Sequence, residues 1–163
     1  MAIGRTNVAT NVRLKPITLL PNSSMSGTAT YNNYSALTNL NPNIQIYFIS
    51  QNTGGGNYYL TADNGNLKAY VNNPSTTTGE VQYEVVPVNT ASRYLLDVTM
   101  TYTQSGGSRI QIGETMYSAT SGTINTTFVF QNSIMLYFGC WQSAVAGVCN
   151  ATVTKMVLTA LPE

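Results

Sequence analysis

The sequence predicts an all-β fold, a single antiparallel β-sandwich or jelly roll with a short N-terminal arm. Three observations carry this expectation. Apolar residues recur at period two rather than at the helical 3.6. Clusters of Asn, Gly, Ser and Pro punctuate the chain at short intervals. No long run of Ala, Leu, Glu, Lys and Gln appears at helical spacing. The 163 residues suit one domain with enough chain to bury a real core.

Residues 1–16 read as an arm that ends at Pro16, and residues 17–163 as the sandwich. Arg5, Arg13 and Lys15 concentrate positive charge in the arm, and no carboxylate occurs before Asp63. Ile3, Val8, Val12 and Leu14 add scattered apolar contacts. An assembly arm that docks on a neighbouring subunit or an acidic partner surface is one reading. An arm folded back on its own sandwich is the other.

Ile44, Ile46 and Phe48 alternate with polar neighbours, as a half-buried strand requires. Asp63-Asn64-Gly65-Asn66 lies between Tyr58–Ala62 and Leu67–Val71, and Asn-Gly supplies the positive φ angles of a type I′ hairpin turn. The stretch 53–56 and the stretch 74–79 read as exposed loops. Tyr94 to Tyr102 is the clearest strand. Tyr94, Leu96, Val98, Met100 and Tyr102 should face the core, and Asp97, Thr99 and Thr101 the solvent. Ser105-Gly106-Gly107-Ser108 and Ser121-Gly122 are further breaks. Ile124, Phe128 and Phe130 share one face of the next strand. Ile134 to Phe138 is apolar on both faces, which predicts a central strand covered on both sides. Thr152 to Thr159 closes the chain, with Thr154, Met156 and Leu158 expected on one side. Eight to ten such strands fit two packed sheets.

Cys140 and Cys149 flank eight residues that begin with Trp141. They are neither a zinc site nor a CxxC redox pair. A disulfide pinning a hairpin loop is expected from the spacing, and two unpaired thiols are the alternative.

Composition excludes several functions. Charged residues are only 8% of the chain, against about 25% in a typical soluble domain. Neutral hydrogen-bonding groups keep such a chain soluble, and low self-repulsion makes packing against copies of itself cheap. A net charge of +1 argues against a nucleic-acid partner or an acidic membrane surface. No run approaches the ~18 apolar residues of a transmembrane helix. The first seven residues show no basic stretch followed by an apolar one, so the expectation is assembly in a host cytoplasm, or else a leader already removed.

Catalysis is not expected. The chain has no histidine, which removes the usual general base and the commonest metal ligand. Of the 6 carboxylates, Glu80 and Glu84 are the nearest pair on one strand. Four strand residues span about 13 Å, beyond the reach of a glycosidase pair. No G-x-S-x-G elbow, P-loop or dinucleotide fingerprint is present. Asp63-Asn64-Gly65-Asn66 lacks the closing Glu of a calcium loop. No cofactor and no metal are expected. The Asn-x-Ser/Thr matches at Asn22, Asn33, Asn125 and Asn150 are the chance hits of an Asn- and Thr-rich chain.

Aromatic residues remain as binding groups, because tyrosine offers both a flat apolar face and a hydroxyl. Tyr58 and Tyr59 must point to opposite faces if extended, so one belongs to the core. Trp141 reads either as an exposed anchor or as a ring packed on its own disulfide.

Leu19-Leu20-Pro21-Asn22-Ser23-Ser24-Met25 resembles the opening of carbohydrate-binding-module-like jelly rolls. The order of strands from Tyr94 to Tyr102, Ile110-Gln111-Ile112-Gly113, Ile124 to Phe130 and Thr154 to Leu158 is similar to jelly-roll domains of bacteriophage tail fibres and head decoration proteins. The likeness covers residues 17–30 and 92–160. It implies the sandwich fold and a viral setting. Thr154-Lys155-Met156-Val157 replaces the Asp-Asn-Val approach such domains often have, which removes the implication of a structural calcium, and no sugar-binding residue carries over by position.

The expected function is a non-catalytic virion surface protein of a bacteriophage: a capsid decoration protein, minor capsid component or tail appendage. Its partners would be other virion proteins, copies of itself and a host surface glycan. The alternative is a secreted lectin-like module or fimbrial adhesin.

Overall fold

The computed structural model describes residues 15–20, 35–36, 44–52, 56–74, 79–89, 92–140 and 146–162. Among the described residues it is an antiparallel β-sandwich of twelve strands with no helix. In chain order they are β1 (Ile17–Thr18), β2 (Ser35–Ala36), β3 (Ile44–Asn52), β4 (Asn57–Asp63), β5 (Asn66–Asn73) and β6 (Gly79–Pro87). There follow β7 (Tyr94–Gly106), β8 (Arg109–Ile112), β9 (Thr115–Tyr117), β10 (Ser121–Phe130), β11 (Ile134–Cys140) and β12 (Gly147–Ala160). One sheet runs β10-β7-β12-β5-β4, with β1 added beside β12. The other runs β2-β3-β6-β11-β8-β9.

The period-two residues build the core between the sheets. Leu67, Ala69 and Val71 of β5, Leu96, Val98 and Met100 of β7, and Val81, Tyr83 and Val85 of β6 are all fully or nearly fully buried. Burying each such aliphatic side chain is worth about 1.5–3 kcal/mol relative to exposure. Strand β7 follows its expected alternation from Tyr94 to Tyr102, with Asp97 and Thr99 half-buried and Thr101 exposed on the outer face. The hairpin between β4 and β5 turns on Asn64 at φ 50° and Gly65 at φ 77°, as Asn-Gly predicts. Strand β11 lies between β6 and β8, with Ile134, Leu136 and Phe138 buried on the core side and Met135 and Tyr137 on the outer face. Tyr83 points into the core and satisfies its hydroxyl by donating to the Leu19 carbonyl at 2.8 Å. Buried Gln104 donates to the carbonyls of Tyr117 and Ala119 at 2.8 and 2.7 Å, and so ties the approach to β10 onto β7.

Two expectations are corrected. Thr154 does not share a face with Met156 and Leu158. The register of β12 against β7 shifts between Val153 and Lys155, so Thr154 and Lys155 are both exposed while Val153, Met156 and Leu158 stay inside. Lys155 then reaches Asp97 on β7 as an ion pair.

The second correction concerns the cysteines. Cys140 and Cys149 are two buried free thiols, not a disulfide. They do not close a hairpin either, because β11 and β12 belong to different sheets. Burial raises both thiols, Cys149 to about 12, and each sits in the core as a small apolar group. Of the expected arm only Lys15 and Pro16 fall among the described residues, both exposed. Arg5 and Arg13 lie outside them.

Candidate functional site

The outer face of the β6-β11-β8 region gathers the polar groups that the core excludes. Because Val81, Tyr83 and Val85 point inward, Glu80, Gln82 and Glu84 of β6 must point outward. By the same alternation Met135, Tyr137 and Gly139 of β11 and Arg109 and Gln111 of β8 share that face.

Strand register then lines them into rows. Gln82 pairs with Tyr137, and Tyr137 with Gln111, so one row runs Gln82–Tyr137–Gln111. Gln111 pairs in turn with Met116 of β9, which is 52% exposed. The next row runs Glu80–Gly139–Arg109. The centre of that row carries no side chain, and the backbone around Gly139 is too close to admit one. A Cβ there would stand against the Gly79 carbonyl oxygen and 2.7 Å from Glu80 Cα. The Arg109 guanidinium lies 5.4 Å from the Tyr137 ring centroid, a cation–π contact.

Glu80 is 2% exposed although it faces away from the core. Its Oε1 accepts from Gln82 Nε2 at 2.6 Å. Burial holds its carboxyl above the ordinary range, and the Tyr137 hydroxyl, Gln82 and Arg109 only partly offset this. Burial and the neighbouring Glu80 raise the Tyr137 phenol as well, so it keeps its proton and remains a donor.

Beside this cluster lies an open pocket of about 250 Å³, lined by Gln82, Gln111, Gly113, Met135 and Tyr137. Gln111 Nε2 donates to the Gly113 carbonyl at 2.8 Å, which orients its amide at the rim. Two amides, a thioether and a phenol ring make a mixed apolar and neutral-polar lining. Such a lining matches a ligand that offers hydroxyls and a C–H face, and it holds no strong net charge to attract an ion. Among the described residues no three His, Cys, Asp or Glu side chains come together as a metal site would need.

The residues expected from sequence fall elsewhere. Tyr58 is half-buried and packs against the core, while Tyr59 is 40% exposed on the outer face of the other sheet. This is the inward–outward split the pair requires. Tyr59 stacks on Tyr70 of β5 with ring centroids 5.2 Å apart. It is therefore on the opposite side of the sandwich from the pocket. Trp141 lies outside the described residues.

The pocket residues themselves were not anticipated. One signal was readable: the alternation Glu80, Gln82, Glu84 against Val81, Tyr83, Val85 places an acid and an amide on an outer face. The meeting with Tyr137, Arg109 and Gln111 depends on cross-strand register and has no local signature.

No family model matches the chain, and no curated protein matches it. A solved structure described as "CBM4 structure and function" is similar at 14% identity over 67% of this chain and 86% of that one, with a TM-score of 0.32. A likeness at that score carries no weight for the pocket or its ligand.

Proposed function

We propose that the chain is a non-catalytic binding protein whose outer-face pocket holds a neutral, polyhydroxylated ligand, a glycan. The observation that carries this is the row Gln82–Tyr137–Gln111 at the pocket of about 250 Å³. Each glutamine amide both donates and accepts, as sugar hydroxyls do, and Tyr137 and Met135 supply apolar contact. The one carboxyl at this cluster, Glu80, is buried. Glu84 lies about 13 Å along the same strand face, too far to act with it on one glycosidic bond. The setting we propose is a virion surface, where the ligand is a host surface glycan. The resemblance of residues 17–30 and 92–160 to phage jelly rolls supports that setting, and a secreted lectin-like module is the alternative.

A glycan array followed by calorimetry tests the reading. The free protein should bind at least one glycan class, and the double variant Gln82→Ala/Gln111→Ala should lose that binding with its thermal midpoint little changed. Absence of any glycan binding, or full binding by the double variant, overturns it. Mass spectrometry of purified particles decides the setting.

A further inference from the structure

We infer that strand β10 is a homodimer interface, pairing antiparallel with β10 of a second copy to join two sheets into one. The inference stands apart from the glycan reading and rests on a different face.

Among the described residues β10 forms one edge of its sheet, with β7 on its other side. An exposed edge presents unpaired N–H and C=O groups, and natural proteins blunt such edges with short strands, charges, prolines or bulges. The other described edges follow that rule. β1 and β2 have 2 residues each and β9 has 3. β4 carries Asp63, ion-paired to Lys68. β10 has none of these devices. Its 10 residues, Ser-Gly-Thr-Ile-Asn-Thr-Thr-Phe-Val-Phe, include no charge and no proline, and its ladder to β7 runs from Ser121 to Phe130 without a register shift.

The side chains also look unfinished. Phe128 and Phe130 point toward the core and pack against it, yet both stay half-buried, and Val129 on the outer face is 55% exposed. A neighbouring strand would cover them.

Self-pairing is favoured over a foreign strand because β10 is complementary to itself. In an antiparallel pair, opposed residues point to the same face, so a two-fold axis must pass through a residue and not between two. Placing the axis at Thr126 pairs residues 122–130 with 130–122. Ile124 then meets Phe128 on the core side in both directions. Phe130 meets Gly122, which has no side chain to obstruct the ring, and this pairing of an aromatic with an edge glycine is a known stabilising device. On the outer face Asn125 meets Thr127, and Val129 meets Thr123. Moving the axis to Asn125 leaves Phe130 without a partner and sets Ile124 against Thr126. No like charges oppose each other in the Thr126 register, and closed two-fold dimers are the commonest soluble assembly.

The test uses the full chain in two arms. Light scattering after size exclusion should give twice the protomer mass at micromolar concentration. In the variant Asn125→Lys/Thr127→Lys, each lysine would sit opposite another, and the dimer dissociation constant should rise by tenfold or more. Both substituted positions are exposed, and unchanged circular dichroism checks that the variant folds. In the second arm, Thr126→Cys puts a thiol on the axis opposite its own copy. Opposed Cα atoms at about 4.5–5.5 Å lie within disulfide reach. Mild oxidation should therefore cross-link Thr126→Cys as a dimer on a non-reducing gel, and cross-link Val129→Cys at least tenfold more slowly. A monomeric parent protein, a dimer that survives the lysine pair, or equal cross-linking at 126 and 129 overturns the inference.

Discussion

Gly139 lies at the centre of the row that separates Glu80 from Arg109, and it can be tested against a second glycine. Gly139 has φ +140° and Gly65 has φ +77°, so alanine is strained at either position. Their surroundings differ. A Cβ at Gly65 meets nothing within 4 Å, while one at Gly139 meets backbone of Gly79 and Glu80 that cannot swing aside like a flexible side chain. Gly65→Ala should therefore lose only the backbone term, about 1–2 kcal/mol. Gly139→Ala adds the cost of forcing two paired strands apart, about 1–3 kcal/mol by analogy with overpacked cores. For a domain of this size 1 kcal/mol moves the melting temperature by roughly 2–4 °C, so the second variant should melt about 2–12 °C below the first. Thermal unfolding followed by circular dichroism measures both. Equal losses would refute the crowding of Gly139 against the Gly79 and Glu80 backbone.

Two further outcomes follow from buried groups. Burial raises the Glu80 pKa above its ordinary value of 4.5, so the folded state holds that proton more tightly than the unfolded one. The stability Glu80 contributes is complete below the ordinary value and is lost as pH rises through the raised one. Glu80→Gln keeps an Oε1 acceptor for Gln82 and should flatten that decline above the ordinary carboxyl value of 4.5; an unchanged slope would refute the assignment. The thiols give the other outcome. With Cys149 pushed up to about 12 and Cys140 also raised, a disulfide-exchange reagent at pH 8 should find almost no reactive thiol in native protein and two after denaturation. No thiol after denaturation without reductant would restore the disulfide.

The fold was legible because burial in a two-sheet sandwich writes a period-two pattern directly into the chain. Tyr94 to Tyr102 and the Asn64-Gly65 turn each needed only local chemistry, and both are realised. Errors arose where local chemistry was insufficient. The bulge at Thr154 inserts one residue, and nothing in Val153-Thr154-Lys155-Met156 announces it, since either side of the shift reads as acceptable alternation. The cysteine spacing suited a hairpin, but the chain between them crosses from one sheet to the other, and spacing alone does not distinguish the two paths.

The pocket failed to show for a different reason. Gln82, Gln111 and Tyr137 come from three strands and meet only because β11 lies between β6 and β8. Each alone is an ordinary outward-facing residue. What makes them a candidate site is their position in one row of an outer sheet face, with Arg109 and buried Glu80 in the row beside it. A purely solvent-facing sheet has no use for a carboxylate that is 2% exposed, because burying it costs free energy that an apolar or exposed residue avoids. Retaining it there is intelligible if Glu80 holds the Gln82 amide and the Tyr137 hydroxyl in one arrangement, so that the row above the pocket is set before a ligand arrives.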